Sequence, residues 1–222
     1  KMYKHSWSSV GANKKHIQLT PKYRYHMMQK DKLKVFCRVA IEEACKKHNI
    51  VIGKGNEHAK IMFVGEGPGK NEDEQGIPFV GAAGKNLDKL LAEVGLSLND
   101  VYIANILKCR PPENRAPLPD EIKAHAPWLI EQIKEIQPKV VCSLGNYATK
   151  FFLALGNVDL MDKQPGITSV HGKVRMIEIS GLKIKLIPLF HPAAIIYNRK
   201  LIEEWEKDME IVKREIAQKT LF

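Results

Sequence analysis

Two hydrophobic rhythms alternate along this chain. Short unbroken apolar runs, at Ile61-Met62-Phe63-Val64, at residues 101–104 and at residues 140–144, have the length and composition of strands buried on both faces. Between them, apolar positions recur every three or four residues, which predicts amphipathic helices. Leu87, Leu90, Leu91 and Val94 form one such stripe, ending at Gly95, and Ile122, Ala126, Leu129, Ile133 and Ile136 form a second between Pro119 and Pro138. Asn146 is expected to cap a short helix after the third strand. Residues 174–179 and 183–189 are strand-like around Gly181, and Leu201, Trp205, Met209, Val212 and Ile216 mark a long last helix. Ahead of these, Leu33, Cys37, Ala40 and Ala44 predict a helix over residues 31–47, and Gly53-Lys54-Gly55-Asn56 reads as a turn. Strands separated by helices imply an α/β fold, a three-layer α/β/α sandwich around a central, mainly parallel four-stranded sheet. Ligands of such sheets bind at the carboxyl ends of the strands.

Composition narrows the class. A chain of 222 residues, 44% hydrophobic, can bury one substantial core and is too short for two large domains. No apolar run approaches the roughly 20 residues that span a bilayer, and the lysine-rich start lacks the apolar region of a signal peptide, so the expectation is an intracellular protein with no membrane partner. Four cysteines are too few for a disulfide scaffold of this size; they are core thiols, reactive groups or metal ligands. Net charge is +10, and nearly all of it lies in the first 50 residues, where twelve Lys or Arg face only Asp31, Glu42 and Glu43. That asymmetry favours a polyanion, nucleic acid first, over a merely solubilising segment. The organisation expected is a basic extension over residues 1–30 followed by one domain over residues 31–222.

The chemistry gathers at the predicted strand ends. The first strand runs into Gly65-Glu66-Gly67-Pro68-Gly69, a loop whose glycines bring main-chain N–H groups close to a ligand and whose Glu66 adds a carboxylate. It is not a nucleoside-triphosphate loop, because Asn71 follows Gly69-Lys70 where that motif needs Ser or Thr. The second strand ends in Asn105 and the last in His191, while Phe79 lies on the long connection after the first. Singly, each has a plainer explanation: Asn105 as a helix cap, His191 as a turn residue before proline, Phe79 as core. Together, a carboxylate, an amide, an imidazole and an aromatic plate at equivalent places suit a pocket that stacks a flat heterocycle and reads its edge. An amide both accepts and donates, which matches a uracil edge carrying an N–H beside a carbonyl.

These residues resemble the family 4 uracil-DNA glycosylases, the iron–sulfur group of their superfamily. The resemblance rests on Gly65-Glu66-Gly67-Pro68-Gly69, Pro78-Phe79-Val80-Gly81, Asn105 with Lys108-Cys109-Arg110-Pro111-Pro112-Glu113-Asn114-Arg115, and His191-Pro192-Ala193-Ala194, in order from about Gly53 to the C-terminus. It implies hydrolysis of the N-glycosidic bond of a flipped uracil by a monomeric enzyme acting on uracil-containing DNA, leaving an abasic site. By that resemblance Gly65 and Gly67 line the pocket, Phe79 stacks on the base, Asn105 reads its edge and His191 contacts O2. Glu66 and Glu72 would lie near the sugar. A related family carries a water-activating aspartate where Gly67 stands here. The segment with Pro192, Ala193, Ala194, Ile195, Tyr197 and Arg199 would enter the minor groove. Two other functions fit the same scaffold: a glycosylase of wider deaminated-base range, or an inactive DNA- or protein-binding module.

The chain departs from the family at its metal ligands. The family holds a 4Fe-4S cluster on four cysteines, two in a close N-terminal pair that is missing here. Cys109 matches the third ligand, His125 stands in place of the fourth, and Cys142 reads as a core thiol inside an apolar strand. Cys37 and Cys45 are the thiols left for the N-terminal pair, yet on one helix they would be about 12 Å apart along the axis. Either the helix breaks and a site of three cysteines and one histidine forms, or packing has replaced the cluster.

Overall fold

Each central strand alternates its side chains between two apolar layers, and this builds the fold. In the first long strand Ile61 and Phe63 join one core while Met62 and Val64 join the other. A strand buried on both faces must be covered on both, which forces helices onto each side. The structure is a computed structural model that describes residues 50–198 and 200–217, all within one compact unit, His48–Phe222. The helix expected over residues 31–47 and the basic extension lie outside the described residues, as does any test of the boundary between them.

The strands are β1 (Lys54–Gly55), β2 (Ile61–Gly65), β3 (Val101–Asn105), β4 (Val140–Leu144), β5 (Arg175–Ile179) and β6 (Leu182–Leu189), in the spatial order β1-β3-β2-β4-β6-β5. The four central strands are mutually parallel, as the sequence pattern implies. Two antiparallel edges widen the sheet to six. One is β1, part of the segment expected to be only a turn, which pairs Lys54 with Ile103. The other is β5, joined to β6 by Ser180 and Gly181, both at positive φ (53° and 79°), the backbone of a two-residue hairpin turn whose twist suits the strands.

The helices are α1 (Lys70–Gln75), α2 (Ala82–Glu93), α3 (Pro119–Ile136), α4 (Gly145–Leu153), α5 (Ile167–Val170), α6 (Pro192–Tyr197) and α7 (Leu201–Ala217). Leu87, Leu90 and Leu91 of α2 and Trp205, Met209 and Val212 of α7 cover the Phe63 face; Ile122, Leu129 and Ile133 of α3 and Phe151 and Phe152 of α4 cover the Met62 face. Pro119 starts α3, with Asp120 and Glu121 in its positive first turn, and the Glu121 carboxylate accepts the Leu118 N–H at 2.9 Å. Asn146 corrects an expectation. It lies inside α4 instead of capping it, and its Oδ1 accepts the Ile167 N–H at 3.1 Å, tying α5 to α4. Among the described residues no helix is long and apolar enough to cross a membrane.

Candidate active site

Parallel register brings Gly65 and Asn105 side by side, since the last residue of β2 pairs with the last of β3. A Cβ added at Gly65 would lie 2.5 Å from Asn105 Oδ1 and 2.7 Å from the Phe79 ring, so only glycine lets strand, amide and aromatic plate meet. His191 follows β6 directly, and its ring stacks on Phe79 with centroids 5.8 Å apart and planes inclined by 28°. Beneath it, at the end of β4, Gly145 has φ 85°, and a side chain there would press on the His191 Cβ. The strand ends therefore gather Gly65, Phe79, Asn105 and His191 at one place. Individual strand ends were legible in the sequence; the contact of Phe79 with His191 was not.

Each of these side chains is held in a way that decides its chemistry. Asn105 is 1% exposed, and its Oδ1 is buried without a hydrogen-bond partner. An amide oxygen left in that state costs about 1–3 kcal/mol, a cost a ligand N–H would remove. In His191 the opposite nitrogen is occupied: Nδ1 accepts the Ala193 N–H at 3.2 Å as the N-cap of α6. That bond assigns the proton to Nε2, making the ring an outward donor. Burial, opposed in part by the charge of Glu72, lowers the His191 pKa to about 4, so the ring is neutral at physiological pH.

Phe79 sits at φ 53°, in the left-handed region where a bulky residue is strained by about 1–3 kcal/mol. Two contacts hold it there. Its carbonyl accepts from Lys54 Nζ at 2.9 Å, and Gly84 leaves room for that same carbonyl. Glu72 fixes the flanking loops: Oε2 accepts the Gly69 N–H at 3.1 Å, and Oε1 accepts those of Val80 and Gly81 at 2.9 and 2.8 Å. Glu72 is thus a clamp between the glycine loop and the Phe79 loop, a part that sequence reasoning did not foresee. Glu66 is different. Its main-chain oxygen accepts the Leu107 N–H at 2.9 Å, while burial raises the pKa of its carboxyl.

Asn105 is backed by a buried lysine. Lys108, 1% exposed, donates to the Asn105 carbonyl at 2.7 Å and to Gln132 Oε1 at 2.6 Å. The sequence reading gives Lys54, Lys108 and Gln132 no part in the site. For Lys108 the signal was present, a cationic residue in the apolar run Ile106-Leu107-Lys108-Cys109.

Pro192 opens α6, and its carbonyl accepts from Asn86 Nδ2 of α2 at 3.3 Å. Ala193 and Ala194 are partly buried in the same turn; the side chains of Ile195 and Tyr197, and Arg199 altogether, fall outside the described residues.

Of the expected cluster ligands, Cys37 and Cys45 lie outside the described residues. Cys109 is buried with its sulfur joined in a disulfide, and His125 lies against the chain next to it, its Nδ1 accepting the Lys108 N–H at 3.3 Å. A histidine ligand needs one bare nitrogen facing the metal and usually donates through the other. Here the bare nitrogen is taken by an amide, leaving Nε2 protonated, so His125 as placed does not fit an iron ligand. Among the described residues no group of three or more His, Cys, Asp or Glu is disposed to hold a metal ion. Cys142 is fully buried, burial pushes its thiol pKa up, and it is the core thiol expected.

Comparison with known proteins gives the family. Residues 52–212 match the model of the uracil DNA glycosylase superfamily. A type-4 uracil-DNA glycosylase of Archaeoglobus fulgidus is 46% identical over 178 residues, covering 79% of this chain and 87% of that protein. Those of Saccharolobus solfataricus and Thermotoga maritima are each 44% identical, covering 79% and 78% of this chain and 80% and 90% of theirs. The matched span takes in every strand of the sheet and the whole cluster of Gly65, Phe79, Asn105 and His191, and the chain belongs to the uracil-DNA glycosylase superfamily, in its type-4 group.

Proposed function

We propose that this protein excises uracil from DNA by hydrolysing the N-glycosidic bond, leaving an abasic site for base excision repair. The observation that carries the reading is the buried, unpartnered Oδ1 of Asn105 beside the Phe79 plate and the His191 donor. Uracil supplies what that oxygen lacks, an N3–H, next to a carbonyl that the Asn105 Nδ2 can meet. Cytosine would set a ring acceptor against Oδ1, and a pocket built around such a bond rejects the wrong partner by about 10⁴–10⁵-fold.

Catalysis follows from the same arrangement. Phe79 stacks on the flipped base, and His191 Nε2–H donates to O2 as negative charge builds on the departing ring, the role of an oxyanion donor. As the bond between N1 and C1′ breaks, Glu66 steadies the positive sugar and orients the water whose oxygen joins C1′; the water's proton balances the uracil anion. Gly67 offers no side chain for this task, and Glu72 is engaged as a clamp. The turn at Pro192, Ala193 and Ala194, continued by Ile195, Tyr197 and Arg199, is our choice for the minor-groove contact.

We infer action as a monomer on intracellular DNA. With the Cys109 sulfur joined in a disulfide, the set Cys37, Cys45, Cys109 and His125 is read as holding the fold without iron, and iron content of the purified protein tests that. For the reaction itself, a uracil-containing oligonucleotide treated with protein and then hot alkali should break at the uracil. Intact single- and double-stranded substrate would overturn the proposal.

A further inference from the structure

A lysine with almost no exposed surface is rare unless it is paired, because its ammonium loses the solvation of water. Lys108 is such a residue, and its surroundings give it a direction. The ammonium has three hydrogens. The acceptors around it include the Asn105 carbonyl at 2.7 Å, Gln132 Oε1 at 2.6 Å and the Ile52 carbonyl at 3.4 Å.

Gln132 is itself oriented. Its Nε2 donates to the Ile52 carbonyl at 3.0 Å and to Tyr102 Oη at 3.2 Å, so Oε1 must face the lysine. Tyr102 is held in turn by close packing, since Gly53 has no room for a Cβ beside its hydroxyl. The result is an ordered relay from α3 through Lys108 to the main chain of Asn105. On the other side, the Ile106 N–H donates to the Gly65 carbonyl at 3.0 Å. Asn105 thus has its backbone tied on both flanks while its side-chain oxygen stays unpartnered. A reading group must be held to within about 0.5 Å to discriminate bases, and supporting hydrogen bonds of this kind supply that hold.

We propose that Lys108 is a positioning residue for uracil excision, acting through Asn105, with Gln132 as the residue that aims it. This rests on the reading of Asn105 given above. The buried ammonium fixes the Asn105 carbonyl and so the angle at which the amide meets the base.

The test is a double-mutant cycle in single-turnover excision from a duplex oligonucleotide, with wild type, Lys108→Met, Asn105→Ala and the double variant. Lys108→Met should slow excision at least about tenfold in the wild-type background and less than about twofold once Asn105 is alanine, because a residue that works through another has nothing left to act on. Binding to duplex carrying a stable abasic-site analogue should stay within about twofold of wild type. Equal slowing in both backgrounds, or none in the wild-type background, would overturn the proposal while leaving Asn105 as the reader. An unchanged rate in Asn105→Ala alone would overturn both. If Lys108→Met does not fold, as thermal unfolding will show, Gln132→Leu takes its place in the cycle under the same criteria.

Discussion

Asn105 and His191 gather with Phe79 at neighbouring strand ends and are built in opposite ways. Around Asn105 the main chain is bonded on both flanks, and the buried side-chain oxygen is left without a partner. Around His191 the anchoring bond is made by the side chain itself, whose Nδ1 caps α6 and leaves Nε2 as the free donor. One side offers an acceptor in search of a donor, and the other offers a donor in search of charge. Under the proposed function this contrast divides recognition from catalysis, with Asn105 proposed to select the base and His191 proposed to stabilise its departure.

The largest effects should come from breaking the two sides separately. Asn105→Ala should lower uracil excision by about 10³-fold or more, since it removes the edge contact on which selection rests. His191→Ala should cost about 10²–10³-fold, the usual loss for one oxyanion donor. Single-turnover rates check both. Their difference lies in the pH profile: with its pKa at about 4, His191 is neutral throughout the range from about pH 5 to 8, so it should add no ionisation to the wild-type rate there. A basic limb lost only in His191→Ala would show that a protonated ring is the working form.

Glu66 sharpens the catalytic half. Burial raises its pKa, so its working carboxylate form, present above the folded pKa, is lost as pH falls through a value higher than that of an ordinary glutamate. The excision rate should therefore decline on acidification, and Glu66→Gln should be slower by about 10–100-fold and lack that decline. An acid limb that survives in Glu66→Gln would assign it elsewhere.

A smaller effect is expected at the clamp. Glu72→Gln keeps the shape but trades one carboxylate oxygen for an N–H group that cannot accept from Gly69 or from Val80 and Gly81. Stability should fall by about 1–3 kcal/mol in denaturant unfolding, with excision slowed through Phe79. Full stability would show that the bonds lost contribute nothing net.

How much of this could be read from the sequence follows from the range of the interactions. The central strands and the helices α2, α3 and α7 were legible because their apolar periods are local and strong. So was the convergence of Gly65, Asn105 and His191, which follows from the rule that parallel strands present their ends together. What escaped depends on partners far along the chain. Glu72 as a clamp needs Val80 and Gly81 folded back onto it, β1 needs β3 beside it, and Lys108 needs Gln132 from α3. Asn146 departs from the expected cap because it sits within the first turn of α4 and its partner is the distant Ile167 N–H.

The smallest change at the pocket should come from the region farthest from it in sequence. Residues 1–30 carry Lys1, Lys4, Lys14, Lys15, Lys22, Arg24 and Lys30 and no acidic residue, so they add positive charge to the chain. If these cations meet phosphates, each contact releases counterions and steepens the fall of affinity with salt, by close to one unit of slope per contact on duplex DNA. Deleting residues 1–30 should then flatten the salt dependence of DNA binding while the single-turnover rate at saturating protein stays within about twofold of wild type. An unchanged slope would make the extension a bystander. A slower saturated rate would mean instead that it reaches the chemistry, and the division between selection at Asn105 and departure at His191 would need a third participant.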